Sequence, residues 1–315
     1  MMRELFNKII VTPLLVAIYM ILNMSNSYNV AKADAAIDVG NYIQTEVLDH
    51  STATIYVVHI QNNPKIVLFP EISEDLESVE HFANHLKSSN FVVPIAIINA
   101  GFFDPKNKST LSFAYRNGVP ISDPSANRAL MGNRNLASII SNILNRTEFR
   151  IMDCKPPSVK YSIQRHFDPI PSNCRIKNSI QAGPNLYSDS ALLDEGFIAY
   201  DANSKLLSRN PIGYQYKNAR SAVGIDAKGN IMFVMVSQKL AAEENAVKGS
   251  GLTIAELANT MRELGAVSAM ALDGGTSSSI WVDGQSFFGK LNQDNVVVKR
   301  RIKTVLVVGL KKHAK

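Results

Sequence analysis

The chain has 315 residues, of which 46% are hydrophobic and 19% charged. This composition is typical of a globular protein and excludes an intrinsically disordered one. The formal net charge is +6, of which Arg3, Lys8 and Lys32 against Glu4 account for +2, so the chain beyond residue 33 is only mildly basic. Nucleic-acid binding is therefore not indicated, whereas a small anionic substrate is compatible with the charge.

Residues 1–33 have the pattern of a secretory signal peptide. Arg3 and Lys8 form a charged start, residues 9–22 are largely apolar, and Ala31-Lys32-Ala33 fits the small-x-small rule for cleavage. The sequence therefore predicts a secreted or periplasmic protein, with no stable membrane insertion after the signal is removed. The alternative is a leader that is retained as an anchor.

Three apolar segments near the start of the chain predict strands. Residues 53–60 and 66–69 are rich in β-branched and aromatic residues, and an Asn-Asn-Pro turn separates them. Residues 91–98 form a nearly continuous apolar run, which is typical of a strand buried on both faces. Between these strands, apolar residues recur at helical spacing over 74–86, and Ser73 precedes this predicted helix.

The apolar run 91–98 ends abruptly in polar residues and a glycine. Asn99 offers both a donor and an acceptor, and Gly101 lets the backbone approach a ligand closely. Phe103 and its neighbour Phe102 would form an apolar wall or a platform for a sugar. The alternative is a strand end whose phenylalanines simply pack in the core.

The middle of the chain contains one clear turn and one ambiguous region. Asn117-Gly118 lies between two short apolar runs and predicts a β-hairpin. Residues 136–149 fit a helix and a strand equally well. A short strand then runs from residue 179 into Gly183-Pro184, where Gln181 is either a ligand contact or an ordinary turn residue.

The last third combines a hairpin, a helix and a final strand. The hairpin turns at Lys228-Gly229, and Arg220 lies at its open end. The helix spans residues 252–264, with Thr253 as a possible N-cap and Gly265 as a C-cap. A final strand is predicted over residues 302–310.

The stretch 269–282 is the strongest candidate for a functional loop. Its apolar run ends in Asp273, Gly274 and Gly275, followed by the hydroxyl residues 276–279. Consecutive N–H groups in such a turn can bind an anion, and the hydroxyls of Thr276 and Ser277 add further donors. The alternative is an ordinary hairpin turn with a solvated aspartate, since Asp-Gly is a strong hairpin signal.

Cys154 and Cys174 are the only cysteines of the chain. In an exported protein, such a pair is expected to form a disulfide. A bridge across a loop of this size contributes about 3 kcal/mol to stability. The alternative, a free cysteine nucleophile paired with His166, lacks any local signature.

Four strand-ending motifs, considered together, resemble the phosphodiester glycosidase family. They occur in the same order as in the family and at comparable spacings, and the similarity covers about residues 50–312. The motifs are Asn99-Ala100-Gly101-Phe102-Phe103, Gln181-Ala182-Gly183-Pro184, Arg220-Ser221-Ala222-Val223-Gly224 and Leu272-Asp273-Gly274-Gly275-Thr276-Ser277-Ser278. Thr276 departs from the family, which more often has glycine there, and a β-branched residue would be strained if its φ were positive.

The resemblance implies an α+β fold with a mixed, largely antiparallel β-sheet core and flanking helices, in a single domain over residues 34–315. It also implies hydrolysis of a sugar-1-phosphodiester, on a small molecule or a glycan, without a metal or another cofactor. Asp273 would be the base or nucleophile, and Arg220 would pair with the phosphodiester.

The remaining residues of the motifs would bind or orient the substrate. Asn99 would orient it, and Gly101 would allow its close approach. Phe103 and Gln181 would contact it, and Asp104 would be a possible second carboxylate. The backbone of Gly274 and Gly275 and the hydroxyls of Thr276 and Ser277 would donate hydrogen bonds.

Three other functions fit parts of the sequence. The first is a non-catalytic carbohydrate- or envelope-binding protein with the same pocket. The second is a serine hydrolase that uses Ser277 or Ser278, although the chain has no Gly-x-Ser-x-Gly motif. The third is a metal-dependent phosphodiesterase whose ligands would come from Asp104, Asp226, Asp273 and Asp283.

Overall fold

The computed structural model describes residues 31–32, 42–89, 91–156, 158–201, 207–239, 249–282 and 284–311. The predicted signal peptide and the start of the predicted domain at residue 34 lie outside these residues, apart from Ala31–Lys32. Within the described ranges, none of the helices combines the length and the apolar character that crossing a bilayer requires.

The first sheet has six strands, and all its described pairings are antiparallel. Its order is β1-β2-β3-β14-β13-β15. The strands are β1 (Ala31–Lys32), β2 (Ile43–His50), β3 (Ala53–Ile60), β13 (Arg220–Asp226), β14 (Ile231–Gln238) and β15 (Ala266–Ala271).

The second sheet has five strands in the order β17-β16-β5-β18-β4, again with antiparallel pairs. They are β4 (Ile66–Glu77), β5 (Val92–Asn99), β16 (Ser279–Val282), β17 (Gln285–Phe288) and β18 (Ile302–Lys311). Pro70 is tolerated in β4 because this strand lies at the sheet edge, where a missing N–H breaks no ladder.

The third sheet also has five strands, in the order β7-β6-β10-β8-β9. They are β6 (Ala114–Arg116), β7 (Val119–Ser122), β8 (Thr147–Cys154), β9 (Ser158–Arg165) and β10 (Cys174–Gln181). Two short strands, β11 (Ala199–Tyr200) and β12 (Leu207–Arg209), form a separate pair.

The helices of the described residues are few and short. The two longest are Val79–Ser88 and Ile254–Glu263. The other α-helices are Arg128–Met131, Ile140–Leu144 and Ala191–Asp194, and 3₁₀ turns occur at Pro124–Ala126, Arg134–Ile139 and Gly275–Ser277.

The main core lies among the three large sheets, and it explains why several strands are apolar throughout. In β14, Phe233 and Met235 point into this central core, whereas Val234 and Val236 point to the opposite face. That opposite face of the first sheet packs against the helix Ile254–Glu263. The helix Val79–Ser88 likewise covers the outer face of the second sheet. Both faces of the central strands are therefore buried.

Most predicted elements are confirmed, including the antiparallel α+β architecture. The Asn117-Gly118 turn joins β6 to β7 with positive φ at both residues. The helix Ile254–Glu263 begins at a complete capping box between Thr253 and Glu256. Cys154 and Cys174 form the expected disulfide, which links β8 to β10.

The predicted helix over 74–86 is wrong in its first turn. The strand β4 continues to Glu77 because β18 pairs with it up to Ile302, and the helix begins only after its N-cap, Ser78. Pairing to a neighbouring strand thus outweighs the local helical spacing. The ambiguous region 136–149 contains both structures, because helical turns end at Leu144 and β8 begins at Thr147.

Candidate active site

A cavity of about 250 Å³ lies where the four sequence motifs meet. Backbone hydrogen bonds connect the motifs: the Asp273 N–H donates to the Ala100 carbonyl, and the Leu272 N–H donates to the Ser221 carbonyl, both at 2.8 Å. The Gly183 N–H donates to the Ala271 carbonyl at 3.0 Å. The sequence motifs are therefore parts of one structural site.

The cavity has an apolar wall and a strongly cationic lining. Phe102, Phe103 and Phe197 supply aromatic surface, and Arg146, Arg209 and Arg220 supply positive charge. Asp273 is the one acidic residue among the described lining residues. The other lining residues are Leu111, Gly183, Pro184, Pro211, Ile212, Asn218, Ile254, Ala271, Leu272, Gly274 and Gly275.

Asp273 lies two residues after the end of β15, and its side chain is half-buried in the cavity. Burial raises the pKa of this carboxyl group to about 6. Hydrogen bonds from the Ser277 side chain and the Gly274 N–H, together with the charge of Arg300, oppose this rise. At neutral pH the group is therefore mostly a carboxylate, with a pKa suited to accepting a proton.

The loop after Asp273 supports the carboxylate instead of forming an empty anion site. The Gly275 N–H donates to the Ala219 carbonyl at 2.8 Å, so it is already used. The Thr276 hydroxyl accepts a hydrogen bond from Arg300 at 2.7 Å. Positive φ in this loop occurs at Gly275 and not at Thr276, so Thr276 introduces no strain there.

Asn99 lies beneath Asp273 and is not a lining residue of the cavity. Its side chain is only 1% exposed. The amide nitrogen donates to the Asp273 carbonyl, and the amide oxygen accepts from the Ser221 hydroxyl at 2.7 Å and from the Ser279 N–H at 3.1 Å. The structure thus places Asn99 as a connection between β5, β13 and the Asp273 loop.

Arg220 lines the cavity, but its guanidinium is largely engaged with the backbone. It donates to the carbonyls of Leu252, Ile212, Gly213 and Tyr216 at 2.8 to 2.9 Å. These bonds use four of its five N–H groups and hold the loop 212–216 in place. Burial lowers the pKa of Arg220 to about 10, so the group remains charged at neutral pH.

Three further predicted site residues, Gly101, Gln181 and Asp104, lie outside the cavity lining, as do Thr276 and Ser277. Gly101 packs against Ser112, whose side chain lies 2.6 Å from the position that a Cβ would occupy. Gln181 is 1% exposed and donates to the Leu144 and Arg146 carbonyls. The Asp104 carboxylate accepts from the Lys106 N–H within its own turn.

Sequence reasoning missed Arg146, Arg209 and Phe197. Arg146 falls in the ambiguous region 136–149, and Arg209 and Phe197 belong to no motif that the sequence singled out. The guanidinium of Arg146 lies 3.9 Å from the Phe197 ring centre and 5.3 Å from that of Phe102. No local pattern identifies these residues, since only the folded chain brings them to the cavity.

The residues of the alternative functions are dispersed. Cys154 and Cys174 are oxidised, so the free-thiol nucleophile is contradicted. Ser278 is fully buried, and Ser277 bonds to Asp273. Asp104 and Asp226 do not line the cavity, Asp283 lies outside the described residues, and the described residues contain no group of three side chains placed to hold a metal.

Comparisons with known proteins concern the family and the fold of the chain. A family model described as "Phosphodiester glycosidase" matches residues 93–309. No curated protein matches the chain.

Solved structures share the fold at low sequence identity. A hypothetical protein from Synechocystis has a TM-score of 0.55 and 17% identity, covering 88% of this chain and 64% of that one, so the chain spans just under two thirds of that protein's length. A second structure is the catalytic domain of zebrafish N-acetylglucosamine-1-phosphodiester alpha-N-acetylglucosaminidase, auto-inhibited by its pro-peptide. It has a TM-score of 0.58 and 14% identity, and the match covers 88% of this chain and 87% of that one. A Burkholderia pseudomallei protein named as exported has a TM-score of 0.57 and 14% identity, and the match covers 83% of this chain and 74% of that one.

Proposed function

This chain belongs to the phosphodiester glycosidase family, and from that premise we propose that it hydrolyses a sugar-1-phosphodiester at the anomeric carbon. The products are the free sugar and a phosphomonoester. One observation carries the proposal: Asp273, a single carboxylate with a raised pKa, shares a cavity with three arginines and an aromatic wall. An anionic substrate that carries a sugar fits such a lining.

The leaving group explains how one carboxylate can suffice. When the bond between the anomeric carbon and the phosphate oxygen breaks, the electron pair leaves with the phosphomonoester, which is stable as an anion without being protonated. The arginines stabilise this developing charge, so the demand for a general acid is small. The reaction then needs activation of the attacking water and stabilisation of an oxocarbenium-like centre.

Asp273 supplies that activation by one of two routes. As a base, it accepts a proton from the water whose oxygen bonds to the anomeric carbon. As a nucleophile, it bonds to the anomeric carbon first, and water hydrolyses the glycosyl ester in a second step. The first route inverts the configuration of the sugar and the second retains it.

We also propose that the protein acts outside the cytoplasm. The leader-like residues 1–33, the disulfide between Cys154 and Cys174 and the similarity to a protein named as exported support this location. Disulfides of this kind persist in oxidising compartments.

The test is hydrolysis of a panel of sugar-1-phosphodiesters in ¹⁸O-labelled water, with products followed by mass spectrometry and NMR. Cleavage at the anomeric carbon places the label in the sugar, and the configuration of the released sugar distinguishes the two routes. We expect Asp273→Asn to reduce turnover by about 10²- to 10⁴-fold, because it removes the proton acceptor or nucleophile.

The matched control is Asp153→Asn, which removes a half-buried carboxylate on β8 that lies outside the cavity lining. This variant should retain its turnover. Label in the phosphate would contradict the proposal in favour of a phosphodiesterase. Binding of the panel without release of sugar would favour the non-catalytic alternative.

A further inference from the structure

Two arginines of the cavity, Arg146 and Arg209, are each held by one hydrogen bond from Nε to a backbone carbonyl. The Nε atom of Arg146 donates to the Glu195 carbonyl, and the Nε atom of Arg209 donates to the carbonyl of the next residue, Gly196, both at 2.9 Å. A single turn of the chain, Glu195–Gly196, therefore positions both side chains. Both residues line the cavity that contains Asp273.

The terminal nitrogens of these two arginines have no partner within the described part of the chain. Neither side chain forms a salt bridge there, and each donates only the one hydrogen bond from Nε, so four N–H groups remain on each guanidinium. The carboxylate of Glu195, which interacts electrostatically with Arg146, is already bonded to Thr147 and to the Asn185 N–H. Arg220 differs, since it spends four of its N–H groups on carbonyls.

Arg146 is also fixed in orientation before any ligand arrives. Its guanidinium stacks on Phe197 at 3.9 Å and faces Phe102 at 5.3 Å, and the residue is only 5% exposed. Burial lowers the pKa of Arg146 to about 9; the charge of Glu195 opposes this shift, and the nearby charge of Arg209 adds to it. A buried cation that forms no direct salt bridge among the described residues is costly, and an anion bound in the cavity would offset that cost.

We propose that Arg146 and Arg209 form the clamp that binds the phosphodiester group of the substrate. A phosphodiester has two non-bridging oxygens, and each guanidinium can meet them with two parallel N–H groups. In this arrangement Arg220 is a positioning residue that holds the loop 212–216. The clamp rests on the proposed function for the identity of its ligand, but its capacity to bind an anion is independent of turnover.

The test uses dimethyl phosphate, a minimal phosphodiester anion, and trimethyl phosphate, its neutral counterpart of similar shape. Binding of each to the full chain is measured by NMR titration, with acetate as an anion of different geometry. We expect dimethyl phosphate to bind more tightly than acetate, and trimethyl phosphate not to bind. Arg146→Gln and Arg209→Gln should each weaken dimethyl phosphate binding by about tenfold or more, since each removes a charge-assisted pair of hydrogen bonds.

Arg175→Gln is the matched control, because Arg175 is 83% exposed and lies outside the Asp273 cavity. This variant should bind dimethyl phosphate as the wild type does. Arg209 is less buried than Arg146, so Arg209→Gln keeps the test valid if Arg146→Gln does not fold. Arg209→Lys preserves the charge but not the paired N–H donors of the guanidinium. We expect its affinity for dimethyl phosphate to lie between those of Arg209→Gln and the wild type.

Unchanged affinity in Arg146→Gln and Arg209→Gln would overturn the clamp, and so would equal binding of the neutral ester. The failure of the proposed function has a different signature. In that case Asp273→Asn and the wild type would both be inactive on every sugar-1-phosphodiester, while dimethyl phosphate binding and its dependence on the two arginines would persist.

Discussion

Two polar regions near the start of β8 show how the same residue type serves different purposes. In the Glu148 cluster, formed by Glu148, Arg150, His166 and Ser179, Arg150 donates to the Glu148 carboxylate at 3.0 Å. Its other nitrogens donate to the carbonyls of Asp168, Arg165 and His166, at 2.7 to 3.1 Å. Arg146, four residues earlier and similarly buried, makes one such bond and faces the Asp273 cavity.

The two regions differ in how many of their hydrogen-bonding groups have partners, and not in how deeply they are buried. Every part of the Glu148 carboxylate is occupied, because Ser179 donates to one oxygen and Arg150 and His166 lie against the other. Such a closed network has nothing left to offer a ligand, and it fixes β8 to β10 and to the loop after β9. Unused donors beside a cavity are the physical sign that separates the binding region from the structural one.

Arg150→Met is the strongest test of this distinction. The change leaves the Glu148 carboxylate buried without its main cation, and we expect a loss of about 3–5 kcal/mol in the free energy of unfolding. The measurement is urea unfolding followed by circular dichroism. The companion variant Arg146→Met keeps much of the packing on Phe197 and removes a cation that forms no direct salt bridge among the described residues, so its free energy of unfolding should change by less than about 1 kcal/mol.

Equal losses in these two variants would abolish the distinction between the regions. Dimethyl phosphate binding gives the complementary readout. It should be retained in the folded fraction of Arg150→Met and weakened in Arg146→Met. The reverse pattern would assign the anion site to the Glu148 cluster.

Asn99 gives the next largest effect, because it supports the backbone of Asp273 but does not itself line the cavity. Asn99→Ala leaves the Asp273 carbonyl and the Ser279 N–H without their side-chain partner, and we expect a loss of about 1–3 kcal/mol in stability. The displaced Asp273 should reduce kcat by about 10–10²-fold, whereas dimethyl phosphate binding should not change. Ser221→Ala removes one donor to Asn99. We expect smaller losses of stability and kcat in this variant, again with unchanged dimethyl phosphate binding.

A reduced dimethyl phosphate affinity with unchanged kcat would contradict this positioning role. It would instead support direct contact of Asn99 with the substrate, as the sequence motif implies. The ratio of the two effects, measured on the same preparations, decides between these roles.

The sequence predicts the strand ends of the site well, because each motif is local. A buried apolar run followed by polar residues and glycine identifies Asn99, Gly183 and Asp273 wherever the rest of the chain lies. The roles of these residues, in contrast, cannot be predicted from the local sequence. Whether Asn99 contacts substrate or backbone depends on Ser221 and Ser279, which are more than 100 residues away.

The arginines show the same limit more clearly. Arg220 follows a recognisable pattern, yet the number of donors that it keeps free is set by the loop 212–216, which folds back onto it. Arg146 and Arg209 have no pattern, and they become a pair only because the turn at Glu195–Gly196 accepts from both. Tertiary hydrogen bonding therefore decides which of three similar residues can bind an anion.

The smallest expected effect concerns the free energy that the Asp273 carboxyl contributes at different pH values. Its pKa is raised from 3.8 to about 6, so between these values the folded protein holds a proton that the unfolded chain has released. The stabilisation from this proton is fully present below about pH 4 and is lost as pH rises through about 6. In Asp273→Asn the side chain cannot ionise, so the variant should be more stable than the wild type by about 1–2 kcal/mol at pH 7, and similar to it at pH 4.

The measurement is urea unfolding of both proteins, repeated from pH 4 to pH 7. The difference between them isolates the contribution of the Asp273 carboxyl, because all other groups titrate alike in the two proteins. The pH profile of kcat/KM provides the partner measurement, with an acid limb near pH 6 if the Asp273 carboxylate is the base or nucleophile. The Glu148 cluster should add no difference between the two proteins over the same range, since it is intact in both. A constant stability difference across the range would mean that Asp273 is solvated like a surface carboxylate, and burial would then not raise its pKa as the proposed chemistry requires.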